Sequence, residues 1–99
     1  MHPVRVAPKV HLFVCGNRRE DGSPLGPGCG DAGDAVYAAL KEEVARHGAV
    51  VSVWVTKTHC LGVCPKHGAT VARYPAQRIW SDVTRDDVAT LWSTAMEQP

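Results

Sequence analysis

Four cysteines, at positions 15, 29, 60 and 64, are the only cysteines in this 99-residue chain, and each lies in a stretch that reads as loop. A chain this short buries only about two-thirds of the surface its unfolded form exposes, so a centre that gathers thiols from separate loops would matter for its stability. Cys15 ends an apolar run, Cys29 opens an expected helix, and Cys60 and Cys64 sit together in HCLGVCP. If those loops converge, four sulfurs meet at one point, which is the arrangement of a metal site.

Four cysteines also permit two disulfides, and the expected compartment argues against them. The first residues, MHPVRVAPK, interrupt a short apolar stretch with prolines and basic residues, so no secretory signal is expected. No apolar run approaches a membrane span. Cytosolic residence is the default expectation, and thiols stay reduced there. With 44% apolar and 21% charged residues the chain reads as globular. Eleven Lys and Arg against ten Asp and Glu leave a net charge of +1, and nothing in that balance asks for nucleic acid.

Periodicity places the elements. Residues 10–15 read as a first strand, followed by a segment, 16–30, that holds five of the nine glycines and two prolines and cannot be regular structure. Asp31 is the expected N-cap of a helix over 32–47, in which Val36, Ala39, Leu40 and Val44 recur at helical spacing and Gly48 is the stop. Residues 50–55, VVSVWV, are almost continuously apolar and β-branched, the pattern of a central strand buried on both faces. Residues 69–74 and 77–80, split by Pro75, read as a hairpin. Thr84 then caps a closing helix whose apolar face is Val88, Leu91, Trp92, Ala95 and Met96. The order β-α-β-β-β-α gives an α/β fold with one mixed sheet and two main helices, the thioredoxin-type layout, over residues 9–99. Residues 1–8 read as a loose tail. The Cys-x-x-Cys after the first strand that marks redox-active members of that fold is absent.

Thiolates suit zinc or iron bridged by sulfide. Zinc ribbons bring their ligands as close pairs, a test that Cys60 and Cys64 pass and that Cys15 and Cys29, with thirteen residues between them, do not. A two-iron cluster places its ligands on separate metals, so wide spacing is natural for it. Gly16, Gly26, Gly28, Gly30 and Gly62 would let backbone N–H groups approach the sulfurs. Cys29 is expected just before a helix, whose positive end favours thiolate.

These segments carry a family resemblance. Residues 14–19 (VCGNRR), 28–30 (GCG) and 60–65 (CLGVCP), with the GATV strand and the IWSDV run before the last helix, resemble the thioredoxin-like 2Fe-2S ferredoxins from about residue 10 to 96. The resemblance implies that Cys15, Cys29, Cys60 and Cys64 all ligate a 2Fe-2S cluster and that the subunits pair as a homodimer. It also implies a one-electron carrier with a redox protein as donor and another as acceptor, rather than an enzyme with its own substrate. Two rivals are a structural zinc module for interactions and an iron-sulfur sensor or cluster-delivery protein using the same ligands.

The remaining candidates read more simply. His59 and His67 flank the second cysteine pair and are expected near the site without ligating, since four cysteines already fill it. Arg18, Arg19, Lys57 and Lys66, partly offset by Glu20 and Asp21, are solvated loop charges able to steer an acidic partner. Trp92 fits a helix core, whereas Trp54 and Trp80 sit in strands. Asp82, Asp86 and Asp87 suit the start of the last helix and form no catalytic carboxylate pair.

Overall fold

The structure is a computed structural model and describes residues 1–17, 29–59, 61 and 68–97. Alternating or continuous apolar residues give four strands, β1 (Val10–Cys15), β2 (Val53–Thr58), β3 (Ala69–Tyr74) and β4 (Arg78–Val83). Helix α1 (Gly30–Arg46) connects β1 to β2, and α2 (Val88–Glu97) follows β4 after a single 3-10 turn. The sheet order is β2-β1-β3-β4. A helical crossover returns the chain to the same edge, so β2 runs parallel to β1, while β3 and β4 are hairpin-joined and antiparallel. This is the expected β-α-β-β-β-α order on one mixed sheet.

Both helices cover one face of the sheet. Val10, Leu12 and Val14 of β1 and Val53 and Val55 of β2 pack against Val36, Leu40 and Val44 of α1 and Leu91, Trp92 and Ala95 of α2 in a single core. Leu12 and Leu40 are wholly buried, and truncating either to Ala would cost about 2–5 kcal/mol. Trp92 is a core residue, as its helical position implies, and its ring stacks on His47. Arg73 is buried near the C-terminal end of β3, where its Nε donates to the Ala95 carbonyl of α2 at 2.7 Å. The opposite face of the sheet presents His11, Phe13, Trp54, Tyr74 and Ile79, and Trp54, Tyr74 and Ile79 are exposed there.

Several boundaries and one placement differ from the sequence expectation, and the strand expected at 77–80 runs over Arg78–Val83. The strand expected at 50–55 begins only at Val53, and Val50 and Val51 are 68% and 76% exposed. Gly48, at φ +60°, ends α1, and the chain then turns with Ser52 and Val53 N–H donating to the Ala49 carbonyl. The β-branched residues at 50 and 51 are consumed by that turn. Nor is the strand central, because β2 forms an edge with Trp54 38% exposed, and β1 takes the interior position beside it. An apolar run does not distinguish a strand buried on both faces from an edge strand with an aromatic on its open face. Helix α1 starts at Gly30 with Cys29 as its N-cap, so Asp31 stands in the first turn, where it still complements the helix dipole.

The last helix keeps its expected start. Thr84 N–H donates to the Asp87 carboxylate at 2.9 Å, and together the two residues form a capping box ahead of α2.

Candidate metal centre

The C-terminal end of β1, the N-terminus of α1 and the C-terminal end of β2 meet at one corner of the sheet. Cys15 is the last residue of β1 and aligns with Thr58, the last of β2. Strand alternation turns the even positions of β1 toward the helices and the odd ones toward the open face, so Cys15 and Thr58 point to that face together. Gly16 N–H donates to the Thr58 carbonyl at 2.8 Å, which extends the parallel pairing one residue past the strand. The Cys15 thiol in turn donates to the His59 carbonyl at 3.4 Å. The peptide immediately before Cys60 is thereby in contact with Cys15.

Cys29 comes to the same corner from the far side of a long excursion. Gly30 N–H donates to the Asn17 carbonyl at 3.0 Å, which pins together the two ends of segment 18–28. The thirteen residues between Cys15 and Cys29 therefore impose no separation on the two thiols. Both are free and buried, and they lie within hydrogen-bonding reach of each other. Burial first, then the adjacent Cys15 thiol, push the Cys29 thiol above its usual range, and hydrogen bonds from Thr70 pull it partly back. A cation between the sulfurs would invert this preference and displace the protons.

The close approach of α1 to β1 rests on Gly33. A Cβ there would stand 2.1 Å from the carbonyl oxygen of Cys15, so only glycine lets the first turn of the helix sit against the strand end. The Gly33 N–H donates to the Cys29 carbonyl in that turn.

Two soft, buried sulfur donors side by side fit a thiophilic metal group and suit neither a calcium nor a magnesium site, which use oxygen. Cys60 and Cys64, like Arg18, Arg19, Lys66 and His67, lie outside the described residues. His59 has an exposed side chain and touches Cys15 only through its carbonyl. Lys57 is no loop charge, since it lies in β2, pairs with Asp34 at 2.8 Å and stands over the Tyr37 ring. Gly33, Thr58 and Thr70 are the site residues that sequence reasoning passed over. Only Gly33 carried a signal, as a glycine inside a helical pattern where Ala would be about 1 kcal/mol more favourable.

No family model matches the chain. A curated protein of Clostridium pasteurianum named ferredoxin, 2Fe-2S, is 30% identical over 92 residues, a match covering 93% of this chain and 89% of that one. Among solved structures, the wild-type thioredoxin-like 2Fe-2S ferredoxin of Aquifex aeolicus is similar with a TM-score of 0.79 at 26% identity, covering 92% of this chain and 88% of that one. A second structure of the Aquifex aeolicus ferredoxin gives 0.80 at 25% identity, over 94% and 86% of the two chains.

Proposed function

The chain belongs to the thioredoxin-like 2Fe-2S ferredoxins, and from that membership we propose that it is a one-electron carrier whose 2Fe-2S cluster is held by Cys15, Cys29, Cys60 and Cys64. The observation that carries this reading is the meeting of Cys15 and Cys29. Two cysteines with thirteen residues between them share one buried corner as free thiols, and the residue before Cys60 contacts one of them.

When bound, the cluster takes up one electron and releases it. Everything else falls to the chain. The cysteine sulfurs bind as thiolates and so give up their protons on loading. The N-terminus of α1, beginning at Cys29, places positive dipole where negative charge accumulates. Thr70 hydrogen-bonds Cys29 through its backbone and its hydroxyl, and such contacts favour the more negative, reduced state.

On this reading the protein has no substrate of its own and passes electrons between two redox proteins in the cytoplasm. No helix among the described residues is long and apolar enough to cross a membrane. A homodimer belongs to the same proposal, supported by the aromatic and aliphatic side chains left exposed on the open sheet face. Sedimentation should give twice the chain mass, and Trp54→Glu should shift it toward one chain; a wild-type protein that sediments as a monomer at all concentrations refutes the pairing.

The test of the main reading is composition and colour. Protein purified without air should be reddish and hold iron and inorganic sulfide in equal amounts. Single Cys→Ala changes at any of the four positions should lose both. Colourless protein with stoichiometric zinc would overturn the proposal, since Zn(II) has no redox chemistry.

A further inference from the structure

The hydroxyl of Thr58 is the one buried side-chain polar atom that has no hydrogen-bond partner among the described residues. Leaving a buried donor without an acceptor is costly, so such a group is expected to serve something. Its surroundings say what. Thr58 is in parallel register with Cys15 and on the same open face, and its carbonyl anchors Gly16 while the next carbonyl, of His59, accepts from the Cys15 thiol. On the other side of the corner Thr70 is wholly buried and hydrogen-bonds Cys29. Each described cysteine thus has a threonine beside it, Thr70 wholly buried and Thr58 half-buried with a buried hydroxyl, and the Thr58 hydroxyl is the unused one.

We propose that Thr58 donates its hydroxyl hydrogen to sulfur of the redox group held at Cys15 and thereby raises its reduction potential. This rests on the iron-sulfur reading of the site. One electron enters on reduction and no proton moves, for the hydrogen stays on the threonine oxygen and only its attraction to the sulfur strengthens as negative charge grows. Valine is nearly isosteric with threonine, so Thr58→Val deletes the donor and little else, and Thr58→Ser restores it.

The experiment compares the wild type, Thr58→Val and Thr58→Ser, each first assayed for iron and sulfide. If the wild type holds no iron, it is the electron-carrier reading that fails. With iron present in all three, the ratio of reduced to oxidised protein at the wild-type midpoint should fall roughly two- to tenfold in Thr58→Val, the range one neutral hydrogen bond supplies, and return in Thr58→Ser. Resonance Raman should show Fe–S bands that shift in heavy water in the wild type and Thr58→Ser and do not shift in Thr58→Val. Freed of iron, Thr58→Val should melt no lower than the wild type, because it removes an orphaned hydroxyl. An iron-loaded Thr58→Val with the wild-type potential and the wild-type isotope shift overturns the proposal. So does an iron-free Thr58→Val that melts well below the wild type, which would give the hydroxyl a structural partner.

Discussion

Gly33 shows how one missing side chain decides where a cysteine sits. The space its Cβ would need is filled by the Cys15 carbonyl, a backbone atom that cannot swing aside as a side chain can. Gly33→Ala should therefore push α1 away from β1 and separate Cys29 from Cys15, with a loss of about 1–3 kcal/mol typical of overpacking. For a domain of this size that is roughly 4–8 °C of melting temperature per kcal/mol, accompanied by a lower iron content per chain. A variant with unchanged melting and full iron would mean that the strand end yields to the helix. At this scale the four cysteines were legible in the sequence as candidates, and the structure brings Cys15 and Cys29 together. Gly33 and Thr58 were not legible there, because close approach and an unmet hydrogen bond are properties of two segments at once.

At the scale of elements, the pinch between Asn17 and Gly30 separates the site from the length of the chain that leaves it. Shortening the segment by one or two residues between positions 22 and 25 should leave iron binding intact, since closure entropy changes little over so short a range. Iron analysis and the visible spectrum of the deletion would check this, and an empty protein would make the interior of the segment part of the site. The two helices and the hairpin were readable from period and caps. Placement of β2 was not, because residues 50 and 51 have strand composition and the turn after Gly48 claims them. The pattern also carries no information on which strand lies at the edge, as strand order depends on where the crossover lands.

The whole molecule has one helix-covered face and one open face, and His11 reports on the second. Its ring stacks on Phe13 at 4.0 Å, meets Trp54 edge-on and bonds the Thr56 hydroxyl at 2.8 Å, with Tyr74 opposite it on β3. Burial holds its imidazole below the ordinary value. The unfolded chain then takes a proton at higher pH than the folded one, so the stability His11 contributes is complete above the ordinary imidazole range and is lost as pH falls through its folded value. Melting temperature should decline from neutral to mildly acid pH, and the decline should be shallower in His11→Gln. Equal slopes in the two proteins would assign the decline to other groups.

Arg73 gives the molecule an asymmetry of another kind. It ties β3 to the last turns of α2 beside Leu12, toward the end of the sheet away from Cys15, and it does so with protein groups alone. The cysteine corner, by contrast, holds the thiols proposed to bind the cluster, and on that reading its stability depends on cargo. Stability is therefore conditional at one end and unconditional at the other, and the two ends need not melt together. Stripping iron should speed amide hydrogen exchange at Gly16, Gly30 and Gly33 while Leu12, Arg73 and the amides of α2 keep their protection. Uniform loss of protection would mean a single cooperative unit. With the graded pattern, the empty chain waits half-built, its sheet and closing helix already a scaffold to which iron and sulfide are added.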